Sequence, residues 1–394
     1  MYSMPSREQI VQHCEQALRR LREVHLRAIA DSRGPVVYIS DAYPGVWLEH
    51  VYDGLVWASL TGEWDVAKAY IRLFLDHQRE DGRLPCYVWQ EKTGYGQLQE
   101  CVSFASLAWE VYETTRDEEF LREAYEKCCL WDKWLCEHRN GSSGLIEMHC
   151  GYDTGHDNSA RLDGMRHHGS EGDGPALCPV APVIAPDINA VFFGDRTALS
   201  KMAAQLGLAE DNLHWILQAT RTRQLLLDTC LDPQELFFYD VDKNGVMRKC
   251  RSISVTNVFS EKVLGRCLVH SIFDRYFRHG AEFDTPYPWP SVSSADPLFE
   301  RRLPGNSWGY YSQGLTMLRT LRWMKHYGLE DELHENMRRW LSAWTDSARP
   351  FGQELDPFTG EPSESSPWYS STMLFYLVSA KELGFWPGVS SERS

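Results

Sequence analysis

Two stretches of the sequence concentrate side chains that can exchange protons. Residues 147–173 crowd acids, histidines and arginines into a glycine-rich loop, and residues 352–361 form a second acidic loop. Hydrolysis of a glycosidic bond requires two carboxyl groups, one to protonate the leaving oxygen and one to activate water or attack carbon. Two acidic loops on one rim of a fold could supply that pair. By composition alone, solvated surface loops are the commoner explanation of such stretches.

Aromatic residues are abundant, with 15 Trp and 18 Tyr in 394 residues. Trp and Tyr combine a flat apolar face with a polar edge, which suits the C–H face of a sugar. Five tryptophans fall at predicted helix starts or in loops, where they could stack on a sugar: Trp47, Trp89, Trp289, Trp308 and Trp368.

Charge and composition narrow the partners. The net charge of −15 argues against nucleic acid, because phosphate binding needs clustered Lys and Arg. No window approaches the roughly 18 consecutive apolar residues of a membrane helix. The N-terminus lacks the apolar run of a signal peptide, and the 11 cysteines form no CxxC pair, so we expect reduced thiols and a cytoplasmic protein. The oligomeric state is open between a monomer and a small homo-oligomer.

Helical periodicity dominates the chain. The predicted helices lie near 6–30, 46–61, 63–78, 98–114, 117–138, 186–206, 209–230, 257–264, 266–279, 307–327, 330–346 and 367–383. Glycine or polar turns followed by acidic helix starts link them into hairpins. About twelve helices in hairpins predict an all-α (α/α)6 toroid, and residues 242–245 predict the turn of a small β-hairpin on its rim.

We expect one catalytic domain over 1–394, with the N-terminal helix 6–30 packed on the toroid and a flexible tail at 387–394. Three stretches resist helix formation: 79–97, 139–185 and 280–306. Because they are rich in Trp, Tyr and His, ordered loops over a site are the favoured interpretation.

The segment Asp153-Thr-Gly-His-Asp-Asn-Ser-Ala-Arg161 resembles the Glu-Ser-Gly-x-Asp-Asn-Ser-Pro-Arg motif of glycoside hydrolase family 63 and its mannosylglycerate hydrolase relatives. Other segments resemble further family motifs in the same order, over about residues 46–385: 74–85, 97–99, 185–190, 287–291, 305–308, 356–361 and 367–371.

The resemblance implies roles for individual residues. Asp157 matches the general acid, and Arg161 matches the arginine that closes the motif and could orient an acid or a sugar hydroxyl. Asp187 and Asn189 match residues that could hold the loop that contains Asp157, residues 153–161, which is called the acid loop below. The remaining candidates for sugar contact are Gln99, Tyr152, Asp153, His156 and Asn158. Family members invert the anomeric configuration, which implies a general base on the other loop.

The sequence departs from the family at that base. The family has Glu four residues before the proline of its "NPxTG" segment, where this chain has Gln353. Glu354 follows one place later, and such a slip in an extended segment turns the side chain to the other face unless a bulge restores it. We therefore predict Glu354 as the base, with Asp356 and Glu361 as lesser candidates.

No metal or cofactor is expected. Residues 240–245 resemble the start of a calcium loop, but Arg251 stands where the bidentate Glu is needed. The histidines near 149–168 fit no standard zinc spacing.

The leading functional hypothesis is an inverting, exo-acting glycoside hydrolase that cleaves a small α-linked glucoside or mannoside, of the disaccharide or glycosyl-glycerate type. A sugar epimerase of the N-acylglucosamine 2-epimerase type is an alternative, although such enzymes need histidine pairs on helices. A non-catalytic carbohydrate-binding toroid is a third possibility if the base is missing.

Overall fold

The computed structural model describes residues 2–29, 31–43, 45–99, 102–169, 180–299 and 306–388. These residues form thirteen α-helices: α1 (Arg7–Arg20), α2 (Val51–Thr61), α3 (Trp64–Asp76), α4 (Phe104–Thr115), α5 (Glu118–His138), α6 (Pro186–Gln205), α7 (Ala209–Cys230), α8 (Val255–Ser260), α9 (Arg266–Tyr276), α10 (Gly314–Arg319), α11 (Met324–Tyr327), α12 (Glu330–Asp346) and α13 (Ser370–Glu382).

Six helices form a closed inner ring in the order α2, α4, α6, α8, α10, α13, each packed against the next and the last against the first. The turn that continues α10 makes the contact with α8. The outer helices α1, α3, α5, α7, α9 and α12 are chain neighbours of inner ones, as the hairpin pattern predicts. The predicted (α/α)6 toroid is confirmed.

Burial distinguishes the two layers. The inner helix α13 buries nearly every residue, including the small polar Ser370, Ser371 and Thr372, because helices surround it. The outer helix α3 buries one face, which carries Val66, Tyr70 and other apolar residues at helical spacing, and exposes the other. An apolar stripe facing inwards is what holds an outer helix on the ring.

Local signals fix where the helices begin and end. Ser103 caps α4 by accepting from the backbone N–H of Ser106 at 3.1 Å, and Asp117 caps α5 by accepting from Phe120 at 3.0 Å. Gly62, at φ +82°, ends α2 in the left-handed conformation that glycine adopts without strain. These caps set the direction in which each connecting loop leaves the ring.

Short strands shape the loops at one rim: β1 (Leu26–Arg27), β2 (Val36–Val37), β3 (Gly45–Trp47), β4 (Tyr87–Trp89), β5 (Thr93–Gly94), β6 (Glu147–Met148), β7 (Val183–Ile184), β8 (Leu231–Asp232), β9 (Phe237–Phe238), β10 (Asp240–Val241), β11 (Met247–Arg248), β12 (Ser312–Gln313) and β13 (Glu354–Leu355). The predicted hairpin is confirmed, because β10 pairs with β11 antiparallel, Asp240 opposite Arg248.

Several predicted helix bounds differ from the structure. The helices expected over 46–61 and 98–114 begin at Val51 and Phe104. The helix expected over 307–327 begins only at Gly314, because residues 308–310 form a turn and Ser312 and Gln313 pair with β13. The helix expected over 6–30 is α-helical to Arg20 and ends in a π turn at His25. The α1 helix packs against α12 and α13 as part of the outer layer. Most of the tail predicted as flexible, residues 389–394, lies outside the described residues.

Candidate active site

A cleft lies where the chain enters the inner helices α2, α4, α10 and α13. Its deeper part, here called the inner cavity, is lined by residues just before those helices or in the acid loop: Ile39, Tyr43, Trp47, Glu49, His50, Gln99, Gly155, Asp157, Asn306, Trp308, Gln353 and Tyr369. A wider opening of about 690 Å³, the outer cleft, shares Tyr43, Trp47, Gln99, Asp157 and Asn306 with it.

Asp157 lies on both the inner cavity and the outer cleft. Its Oδ2 accepts one hydrogen bond, at 2.9 Å from the Asn306 side chain, and its Oδ1 meets no donor among the described residues. Burial of the carboxyl raises the pKa of Asp157 to about 7, and the bond from Asn306 opposes that rise. A carboxyl that keeps its proton near neutrality has the property required of a general acid.

The loop that carries Asp157 is anchored by Asp153. This buried carboxylate accepts from the backbone N–H groups of Leu98 and His149, both at 2.7 Å, and from Arg139 at 2.7 Å. Burial alone would raise the pKa of Asp153, but the Arg139 charge and these donors lower it below its ordinary value. Asp153 therefore stays ionised and fixes the loop, rather than lining the cleft.

Arg161, the last residue of the acid loop, connects this loop to buried groups on other elements. Its guanidinium donates to Asp187, to Asp240 at 2.9 Å and to Ser254 at 3.2 Å, and all of these groups are buried. Neither Arg161 nor Asp187 lines the inner cavity or the outer cleft. The contacts give both residues a structural role, tying the acid loop to the start of α6 and to β10.

Glu354 also lies away from both cavities. It is 0% exposed, and its carboxylate accepts from the backbone N–H groups of Asn306 (2.8 Å) and Ser307 (3.2 Å) and from the side chains of Gln313 (2.6 Å) and Ser363 (2.8 Å). Burial raises the pKa of Glu354, and these four hydrogen bonds oppose the rise. The carboxylate is saturated with donors and holds the segment that bears Asn306.

Strand register explains this position. Glu354 stands opposite Gln313 in the β12–β13 pair, whereas Gln353 lies at the bend just before β13. Gln353 lines the inner cavity and donates to the Asn306 side-chain oxygen at 2.7 Å. The lesser base candidates are also outside both cavities: Asp356 accepts from Tyr310 at 2.7 Å, and Glu361 is exposed.

Aromatic rings line the outer cleft. Trp47 contacts Tyr43, Tyr87 and Trp89 with ring centroids 5.0, 5.7 and 5.4 Å apart, and the β3–β4–β5 sheet carries three of these four rings. Tyr152 lies on the same cleft. The predicted contact residues Trp47, Trp89, Gln99 and Tyr152 therefore lie together beside Asp157.

The other predicted tryptophans have different surroundings. Trp308 lines the inner cavity with its ring stacked on His156, centroids 4.1 Å apart, and Asn158 donates to the Asn306 carbonyl at 2.8 Å. Trp289 packs in the core against Phe273, Phe277 and Trp323. Trp368 is half-buried with Arg20 over its ring at 5.2 Å. Neither Trp289 nor Trp368 lines the inner cavity or the outer cleft.

The family described as mannosylglycerate hydrolase MGH1-like glycoside hydrolase domain matches residues 54–372. The chain belongs to this family. It is therefore a glycoside hydrolase, and membership decides against the epimerase and non-catalytic alternatives. Comparison with curated proteins finds no match.

Several solved structures have a fold similar to that of this glycoside hydrolase. A family 63 mannosylglycerate hydrolase from Thermus thermophilus in complex with glucose is 19% identical, covering 93% of this chain and 99% of the other, with a TM-score of 0.74. Neutral trehalase Nth1 from Saccharomyces cerevisiae is 12% identical, covering 92% and 77%, with a TM-score of 0.69. A rhamnosidase from Klebsiella oxytoca with rhamnose bound is 14% identical, covering 98% and 66%, with a TM-score of 0.64.

The inner cavity of this glycoside hydrolase also has lining residues that were not among the predicted contacts, including Tyr43, Glu49, His50, Asn306 and Tyr369. Glu49 and His50 follow Trp47 by two and three positions. Because Trp47 was predicted to contact a sugar, this closeness in sequence could have indicated that they line the site. The Tyr369 hydroxyl lies 2.6 Å from the ring of His50, a contact between residues 319 positions apart that sequence spacing does not reveal.

One group among the described residues could bring three metal-ligand atoms together, namely Glu330, His334 and Glu382. It lies on α12 and α13, and Lys325 already pairs with Glu382 at 2.5 Å. None of the three lines the inner cavity or the outer cleft. Among the described helices, none has the length and apolar character to cross a membrane.

Proposed function

We propose that this enzyme is an inverting, exo-acting hydrolase of small α-linked glucosides or mannosides, with Asp157 as the proton donor. The observation that carries the proposal is the state of Asp157: it faces the cleft, has one free oxygen among the described residues, and has a pKa raised to about 7. An acid in that state is protonated when it meets the leaving oxygen of a substrate.

The shape of the site supports exo action on a small substrate. The inner cavity lies at the entrances to four inner helices, and Asp157 lines both this cavity and the outer cleft. A terminal sugar in the inner cavity would place its glycosidic oxygen at that junction, with the aglycone in the outer cleft. Trp47 and Trp308 would then flank the sugar.

The aglycone could be a second sugar or a glycerate. The aromatic wall of the outer cleft offers stacking faces, and none of the described residues lining it is Arg or Lys. A glycerate carboxylate is best bound by a cation, whereas a neutral sugar ring stacks on Trp and Tyr. The aromatic wall therefore favours a disaccharide, and Lys92, 4.1 Å from the Trp89 ring, is a cation that a glycosyl-glycerate would use.

The contacts of Glu354 do not support a direct role as the second carboxylate of the mechanism. Its role as base stays a prediction. Its four donors and its position outside the cavities favour a supporting role, in which it places Asn306 against Asp157. A cytoplasmic location and a monomeric or small homo-oligomeric state likewise remain expectations from the sequence.

A substrate panel tests the proposal. The purified chain would be incubated with α- and β-linked glucosyl and mannosyl disaccharides and with glucosyl- and mannosyl-glycerate, and early products followed by proton NMR. We expect an α-linked substrate to release the β-anomer first. Initial release of the α-anomer would contradict inversion, and cleavage restricted to β-linked or internal bonds would contradict the substrate class.

A further inference from the structure

The inner cavity contains a second carboxylate that the sequence analysis did not single out. Its described lining residues include two acids, Asp157 and Glu49. Glu49 lies in the turn Leu48–His50, between Trp47 of β3 and the start of α2. Both residues therefore line one small space from different parts of the ring, and acid–base hydrolysis needs two carboxyl groups at one site.

A fixed cation lies close to Glu49. Its side chain is 10% exposed, and the Arg319 guanidinium lies 4.0 Å from its Oε2. Arg319 is held in place by a hydrogen bond of 3.0 Å to the backbone carbonyl of Glu49 itself. The opposite charge of Arg319 offsets part of the cost of burying a carboxyl group at this position.

His50 does not compete for that proton. Its Nδ1 lies 3.7 Å from Glu49 Oε1. Burial, followed by the Arg319 charge, lowers the pKa of His50 well below its ordinary value, so the imidazole is neutral. Its Nε2 is engaged at 2.6 Å with the Tyr369 hydroxyl. The groups close to Glu49 thus include a fixed cation and a neutral ring.

Gln353 is the residue that the loop 352–361 contributes to the described lining of the inner cavity. An amide cannot act as a proton acceptor at neutral pH, so this loop contributes hydrogen bonding and not base catalysis to the cavity. Glu354 does not line the inner cavity and accepts hydrogen bonds from its own donors. A base that works within the inner cavity must then come from another element.

We propose that Glu49 is the general base of this enzyme, a catalytic residue that activates the attacking water. The inference rests on the proposed inverting reaction. The water oxygen bonds to the anomeric carbon as the glycosidic C–O bond breaks; one water proton passes to Glu49, and the Asp157 proton passes to the leaving oxygen. Both carboxyl groups then return to their starting states by exchange with solvent.

Chemical rescue tests the assignment. Glu49→Gln should lower kcat at least about 1,000-fold on the best α-glycoside, and Glu49→Ala should regain turnover with azide, giving a β-glycosyl azide because the anion attacks where water did. Glu110→Gln is the matched control: Glu110 pairs with Arg322 at 2.8 Å on α4, outside both cavities, and its loss should leave kcat unchanged.

Three outcomes would overturn the assignment. The first is wild-type kcat in Glu49→Gln, and the second is a raised KM with unchanged kcat, which would make Glu49 a binding residue. The third is a β-glycosyl azide formed by Glu354→Ala and not by Glu49→Ala. If the wild-type enzyme cleaves no α-glycoside, the proposed function fails; if it does cleave and Glu49 is dispensable, only this inference fails.

Discussion

The acid loop and the β12–β13 pair each bring a carboxylate towards the same residue, Asn306, with opposite results. Asp157 receives one hydrogen bond, from the Asn306 side chain, and lines both the inner cavity and the outer cleft. Glu354 receives four, including one from the Asn306 backbone, and faces neither of the two cavities. The number of donors and the access to the cleft, more than motif position, separate a reactive carboxyl from a structural one.

The same contrast holds within the acid loop. Asp153 and Arg161 bracket Asp157 in the sequence, and both are buried and engaged with partners on other elements. Asp157, between them, is left with a free oxygen among the described residues. Asp153 and Arg161 hold Asp157 in place from each side, although Asp157 itself accepts few hydrogen bonds. Their interactions offset the free-energy cost of burying its carboxyl group.

Breaking an anchor should have the largest effect on stability. In Arg161→Met, Asp187 and Asp240 would be left buried without their counter-charge, and we expect a loss of about 3–5 kcal/mol in the free energy of unfolding. Urea denaturation followed by circular dichroism would measure it. Arg338→Met, which removes an exposed arginine paired with Glu335, should change stability by about 0.5 kcal/mol or less. Equal losses in the two variants would contradict the anchoring role.

Removing the charge of Glu354 should have an intermediate effect. Glu354→Gln weakens hydrogen bonds to the donors of Asn306, Ser307 and Gln313, so we expect a loss of about 1–3 kcal/mol in stability. Thermal unfolding would measure this loss, with Glu361→Gln on the exposed turn as the control. A kcat reduced about 1,000-fold in a fully folded Glu354→Gln would instead support Glu354 as the base.

The stability effect of Asp157 should be of similar size to that of Glu354 and should depend on pH. Because folding raises the pKa of Asp157 from 3.8 to about 7, the folded state binds more protons than the unfolded state between these values, and stability falls as pH rises through that window. Asp157→Asn removes this penalty, so the variant should gain on the order of 1–3 kcal/mol over the wild type at pH 8 and less at pH 4. A pH-independent difference would contradict the raised pKa.

Periodicity predicted most of the fold. Helices such as α5 and α12 follow from apolar spacing and acidic first turns, and they lie within one or two residues of their predicted bounds. The prediction of a helix over residues 307–313 was wrong. Ser312 and Gln313 pair instead with Glu354–Leu355, which lies about 40 residues away. Such non-local pairing leaves no helical or alternating signature in so short a segment.

The site was only partly predictable. The motif placed Asp157 correctly on the cleft, but a motif does not report which face of an extended segment points inwards, as Gln353 and Glu354 show. Glu49 lies in a turn before a helix and faces the cavity only because the inner ring closes around it. Burial and closure are properties of the assembled ring, so they were not visible in the order of residues.

The dependence of Asp157→Asn on the leaving group tests the central claim most directly. The variant and the wild type would be compared on an α-disaccharide, whose leaving oxygen needs a proton, and on the corresponding α-glycosyl fluoride, whose leaving fluoride needs little protonation. We expect kcat/KM to fall about 10²–10⁴-fold on the disaccharide and less than about tenfold on the fluoride. Equal losses on both substrates, or full activity on the disaccharide, would contradict Asp157 as the proton donor.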